Sequence, residues 1–183
     1  MRLFIAIHFD EETKKKILAV QGRLKDVGRG NFSRPENLHL TLSFLGEISP
    51  NRLDALRKAM DQTPLHSMEL LFDKVGCFRR EGGDIWWIGL AENKKLVGLQ
   101  STLSRNLMEQ GFAVEHRRFS PHLTLARELR VQGTFDRTLL LGEPFRTQVD
   151  AMSLMCSQRI NGKLTYTEQY TMTAKEQEEG TKP

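Results

Sequence analysis

Apolar and polar positions alternate strictly in two short stretches of the chain. In Asn37-Leu38-His39-Leu40-Thr41-Leu42-Ser43-Phe44, the leucines fall on one face of a β-strand and His39, Thr41 and Ser43 on the other. Ser120-Pro121-His122-Leu123-Thr124-Leu125-Ala126 repeats the arrangement, with Leu123 and Leu125 opposed to His122, Thr124 and Ala126. These strands are expected over 37–44 and 121–126.

Around them the pattern predicts a strand over 2–8 and an amphipathic helix over 11–27. Asp10 caps that helix, Ile17, Leu18, Val20 and Leu24 face inward, and Gly28-Arg29-Gly30 ends it. A helix from Ser49-Pro50 to Met60 follows, with the serine as cap. Residues 68–78 and 84–90 form a hairpin about Arg80-Glu81-Gly82-Gly83, and a helix over 94–110 stops at Gly111. Residues 128–144 carry no clear period. A last hairpin joins 149–157 to 163–172 through Asn161-Gly162. Residues 174–183 are polar and charged and are expected to be a disordered tail. The order predicts an α+β protein of antiparallel sheets with helices packed outside.

At 183 residues the chain suits one domain, residues 1–173, with two lobes. The first apolar run, Leu3 to Ile7, is too short to export or span, so a cytoplasmic protein without membrane contact is expected. Cys77 and Cys156 lack paired spacing and read as reduced core residues. No heptad seam or exposed strand calls for a partner chain, so a monomer is expected. The formal charge of +4 is modest. Its distribution is more telling, because Arg29, Arg34, Arg79, Arg80, Arg117, Arg118, Arg127 and Arg130 lie near the motifs or in expected loops, where a phosphate backbone would be gripped.

Two similarly presented histidines suggest one acid and one base. Imidazole, with an unperturbed pKa of about 6.5, can be neutral in one copy and charged in the other near neutral pH. Thr41 and Thr124, facing the same way, offer hydroxyls to an oxyanion. No phosphate-binding glycine loop, H-E-x-x-H or C-x-x-C pattern occurs, so no cofactor or metal is implied. His8, His66 and His116 lack the repeated setting. Of Trp86 and Trp87, adjacent on a strand, one packs inward and one outward.

The paired His-x-Thr-x motifs, with the opening Arg2-Leu3-Phe4-Ile5-Ala6-Ile7, the run Pro35 to Glu47 and the run Phe119 to Arg127, resemble the two-histidine phosphoesterases. They are similar above all to the RNA 2′,3′-cyclic phosphodiesterases once called 2′-5′ RNA ligases. The likeness spans residue 1 to about 172. It implies two related lobes facing a cleft and metal-independent opening of RNA 2′,3′-cyclic ends to 2′-phosphomonoesters, with 2′-5′ ligation as the reverse. It further implies His39 as proton donor, His122 as proton acceptor, and RNA ends or a small cyclic phosphate as partner. Thr41, Thr124 and Arg127 would contact phosphate, and Phe44, Phe32 or Phe119 would stack on a base. Three other readings stay open: a non-catalytic RNA-end-binding module, an esterase for a small cyclic nucleotide phosphate, and a metallohydrolase adding Asp10 or Glu115 to the histidines.

Overall fold

The computed structural model describes residues 1–174; of the expected disordered tail, 174–183, all but Ala174 lies outside the described residues. Two antiparallel sheets face each other. One has four strands in the order β3 (Leu40–Glu47), β1 (Arg2–Ile7), β8 (Ala151–Ile160) and β9 (Lys163–Thr173). The other has five, in the order β2 (Gly28–Phe32), β6 (His122–Val131), β5 (Asp84–Leu90), β4 (Met68–Phe78) and β7 (Phe145–Val149). The α+β, two-lobed expectation holds.

The chain crosses repeatedly between the lobes. Helix α1 (Glu11–Val27) leaves β1 of the four-stranded sheet but packs on the five-stranded one. Helix α3 (Lys94–Glu109) leaves β5 of the five-stranded sheet and packs, with α2 (Leu53–Asp61), beside the four-stranded one. Neither lobe is a contiguous stretch of chain. No described helix is long and apolar enough to cross a membrane.

Local chemistry fixes most of these elements. Asp10 caps α1 by accepting from the Thr13 amide at 2.7 Å, with Glu11 and Glu12 in the first turn complementing the helix dipole. Ile17, Val20 and Leu24 are buried as the period predicts, whereas Leu18 is only partly covered and Gln21 is buried instead. The Gln21 amide donates to the carbonyls of Ser33 and Leu125, at 2.8 and 3.0 Å, and so fastens α1 to both strands beneath it.

Several expectations are corrected. Gly28-Arg29-Gly30 does not merely end the helix: Gly28 is extended, and the chain turns at once into β2, paired with β6. Gly30 permits that pairing, since a Cβ there would lie 2.7 Å from the Leu129 Cα. The first motif strand begins at Leu40, not 37, because Pro35–Asn37 forms a 3-10 turn. Ser49 makes no side-chain cap; a 3-10 turn at Pro50–Arg52 precedes α2. The stretch over 128–144 is not wholly irregular. Glu128 adopts a left-handed backbone, β6 continues beyond it to Val131, and a short helix α4 spans Thr138–Leu141. Val149 ends β7, and Asp150 separates it from β8.

Candidate active site

Both motifs deliver their histidine at the beginning of a strand, one in each sheet. His39 immediately precedes β3 and His122 opens β6, and the two sheets bring them to one cleft of about 1050 Å³. Thr41, Phe44, Thr124 and Arg127 line the same cleft, so all six sequence-predicted site residues are gathered there. Leu40, Leu42, Leu123 and Leu125 are buried behind them, as strand alternation requires.

The imidazoles are anchored alike. His39 Nδ1 lies 2.7 Å from the Asn37 carbonyl, and His122 Nδ1 lies 2.7 Å from the Ser120 carbonyl, each two residues upstream. A carbonyl only accepts, so in each ring Nδ1 carries the proton and a neutral ring keeps its lone pair on Nε2. The rings then differ. His39 Nε2 is 3.1 Å from the Thr41 hydroxyl, whereas Nε2 of His122 has no protein partner among the described hydrogen bonds.

Aromatic side chains enclose each imidazole. The Phe4 ring centroid is 4.8 Å from that of His39, and Tyr166 meets it edge-on at 5.2 Å. On the other sheet, Phe78 is edge-on to His122 at 5.1 Å and Trp87 lies 6.1 Å away. Of the tryptophan pair, Trp86 is buried and Trp87 half-buried, as expected. Trp87 lies flat over Gly76 and Gly89; a Cβ on Gly76 would sit 2.4 Å from the indole.

Removal from water pushes the His39 pKa down to about 4, and the nearby positive charges of His8, Arg127 and His122 act in the same direction against the Asn37 hydrogen bond. Burial also lowers the pKa of His122, with Arg127 and Arg117 adding to the effect and the Ser120 hydrogen bond opposing it. Arg127 and Arg2 have no carboxylate partner among the described ion pairs. Arg2 sits 5.2 Å over the Phe44 ring, itself 41% exposed at the cleft wall.

Phe32 also lines the cleft, but Phe119 packs against the core and offers no such face. His8 stands behind His39, with ring centroids 6.3 Å apart. His66 lies at a separate outer concavity of about 590 Å³ beside α3, remote from both motifs. The carboxylates singled out for a metal site are committed elsewhere: Asp10 caps α1 and Glu115 pairs with Arg117 at 2.7 Å. Among the described residues, no group of three His, Cys, Asp or Glu side chains is arranged to hold a metal ion.

Sequence reasoning missed Arg2, Phe4 and Tyr166. The period-2 pattern of the first strand puts Arg2 and Phe4 on one face, which was an available signal; only pairing of β9 with β8 brings Tyr166 into the cleft.

Two antiparallel sheets that present paired His-x-Thr-x strand ends to one cleft define a phosphoesterase of the two-histidine class. Residues 7–87 match the model of the LigT-like phosphoesterases. Over 131 residues the chain is 31% identical to the RNA 2′,3′-cyclic phosphodiesterase of Archaeoglobus fulgidus, covering 71% of this chain and 74% of the relative. The Escherichia coli protein of the same name is 30% identical over 128 residues, 69% of this chain and 72% of that one. The crystal structure of E. coli LigT in apo form superposes with a TM-score of 0.80 at 26% identity, covering 94% and 96% of the two chains. The complex of E. coli LigT with 3′-AMP gives the same TM-score at 27% identity, over 94% and 97%. The chain belongs to the LigT-like phosphoesterase family.

Proposed function

We propose that this protein hydrolyses 2′,3′-cyclic phosphodiester ends of RNA to 2′-phosphomonoesters, with His122 as proton acceptor and His39 as proton donor. The observation that carries the reading is the shared anchoring of the two imidazoles. Each Nδ1 is held by a carbonyl two residues upstream, and both rings line one cleft with two threonines and Arg127. The names of the relatives support the substrate class.

His122 Nε2, with no protein partner described, takes a proton from water as the water oxygen bonds to phosphorus. The bond from phosphorus to the 3′ oxygen breaks, and protonated His39 delivers its Nε2 proton to that oxygen. Thr41 and Thr124 donate to the non-bridging oxygens, Arg127 balances their charge, and Phe44 supports the base.

The low proton affinity of His39 in the open cleft fits a donor that is charged by its substrate. An anionic phosphodiester opposes the effects of burial and neighbouring cations, so His39 takes up a proton as substrate binds. Thr41 follows: beside neutral Nε2 its hydroxyl donates to the ring, and once Nε2 is protonated that acceptor is lost, so the hydroxyl turns its proton to phosphate while Nε2–H faces the 3′ oxygen. Run in reverse the same groups exchange roles and a 2′-phosphate end closes with loss of water; with a 5′-hydroxyl in place of water, the forward step opens the cyclic phosphate into a 2′-5′ linkage and the 3′ oxygen leaves with the His39 proton.

The test is turnover of an oligoribonucleotide ending in 2′,3′-cyclic phosphate, in EDTA, by wild type, His39→Ala and His122→Ala, with product phosphate position read by phosphorus NMR. A 2′-phosphate made only by wild type is the expected result. Binding without turnover by wild type favours the end-binding module, and loss of turnover in EDTA restored by zinc or manganese favours a metallohydrolase.

A further inference from the structure

The cleft does not end at the histidines. It runs on to the hairpin of β8 and β9, where Gln158, Arg159 and Leu164 line it. We propose that the tip of this hairpin, residues 159–164, is a docking arm for the RNA strand that leads to the cyclic end, so that oligoribonucleotides are preferred to cyclic mononucleotides. The inference rests on the cyclic-phosphodiesterase reading above and adds the length of substrate that the site grips.

The composition of the tip suits such a strand. Arg159 and Lys163 are both exposed, and neither enters an ion pair among the described residues. The carboxylate that lines the cleft, Glu47, is paired with the N-terminal ammonium at 3.4 Å, and Glu36, next to Asn37 in sequence, with Arg34 at 3.1 Å. The tip is therefore a net cationic feature continuous with the cleft, and phosphate contacts of this kind fix the path of a nucleic acid without reading its sequence. Ile160 and Leu164, 45% and 39% exposed, alternate with the cations. Apolar side chains beside cations match a nucleotide chain, which offers a base or ribose face beside each phosphate.

The arm is also held rigidly to the reacting centre. Asn161 and Gly162 have φ of 50° and 76°, both positive as a type I′ turn requires, and Arg159 Nη1 donates to the Gly162 carbonyl at 3.0 Å. The Leu164 carbonyl accepts from the Arg34 guanidinium and, at 3.2 Å, from the Asn37 side-chain amide. Asn37 thus ties the arm with its side chain and holds His39 with its carbonyl. A strand seated on the arm is positioned against the same residue that orients one imidazole.

The experiment compares a cyclic-phosphate-ended hexaribonucleotide with adenosine 2′,3′-cyclic phosphate, using wild type and the double variant Arg159→Gln/Lys163→Gln. The Asn161-Gly162 turn is retained, and a thermal melt checks folding. For wild type, kcat/KM is expected to be roughly tenfold or more higher for the hexamer. The variant should lose most of that advantage through KM, and its log kcat/KM for the hexamer should fall less steeply with log salt, by about 0.7 for each phosphate no longer neutralised. Ile160→Ser, which keeps the charge, should reduce the advantage by roughly threefold without altering the salt slope. Equal kcat/KM on the two substrates in wild type, or an undiminished hexamer advantage in the double variant, overturns the docking arm while leaving the phosphodiesterase reading intact. Turnover of neither substrate by wild type overturns that reading and the arm with it.

Discussion

The hydroxyl of Thr41 lies 3.1 Å from Nε2 of His39, on the nitrogen that faces away from the backbone anchor at Asn37. No such bond joins Thr124 to His122 among the described hydrogen bonds, so one half of a repeated motif is closed on itself and the other is open. The repeat is symmetric in sequence and asymmetric in its hydrogen bonds.

That asymmetry gives unequal costs for equivalent substitutions. Thr124→Val removes one hydroxyl from the phosphate and is expected to lower kcat/KM roughly tenfold. Thr41→Val removes both a phosphate donor and the hydroxyl that follows the protonation of His39, and should cost on the order of a hundredfold, or about 2.7 kcal/mol. Steady-state kinetics on one cyclic-phosphate substrate decides; equal losses would show that the His39 bond has no catalytic consequence.

Proton uptake should accompany ligand binding. With His39 pushed down to about 4 in the open cleft, a nucleoside 2′-monophosphate that charges this ring should bind more tightly as pH falls from 7 toward 5, by up to roughly tenfold per unit. Calorimetry in two buffers of different ionisation enthalpy counts the protons, and His39→Gln should abolish the uptake attributed to this ring.

The same ring affects stability with a definite sign. Its folded pKa lies below the unfolded value, so between about 6.5 and 4 the unfolded chain binds more protons. Its neutral burial is therefore harmless above pH 6.5 and increasingly destabilising as pH falls toward 4, by at most about 3 kcal/mol. Urea midpoints measured across that window should fall less steeply for His39→Phe than for wild type.

The seat of Trp87 is open to test at Gly76. Adding a methyl group 2.4 Å from the indole must lift the ring or shift β4, so Gly76→Ala is expected to lose about 1–3 kcal/mol and to disturb His122, which shares that aromatic wall. Denaturation gives the first number, and the imidazole resonance of His122 reports the second.

Gln21 joins α1 to the sheet through two buried or partly buried carbonyls. Gln21→Leu preserves bulk but takes the described donor from the Ser33 carbonyl, while the Leu125 carbonyl keeps its 2.9 Å bond from the Ser33 amide, and a loss of about 1–2 kcal/mol, or roughly 2–8 °C in Tm, is expected.

The amino-acid sequence by itself singled out the candidate residues His39, Thr41, His122 and Thr124 and determined which way they would point. Alternation at a period of two separates Leu40 and Leu42 from His39 and Thr41, and Leu123 and Leu125 from His122 and Thr124, because successive side chains of any strand leave by opposite faces. Capping at Asp10, the turn at Asn161-Gly162 and the inward and outward tryptophans follow from equally local rules. Elements set by long-range pairing escaped that logic. Gly28-Arg29-Gly30 reads as a helix terminus until β6 pairs with β2, and nothing local marks Gln21 for burial until the carbonyls of Ser33 and Leu125 reach it. Only the tertiary structure decided that the two motifs share a cleft, that Arg2, Phe4 and Tyr166 join them there, and that burial holds His39 near a pKa of about 4. Each depends on side chains far apart in the chain reaching one place, and a local pattern carries no information about what arrives from elsewhere.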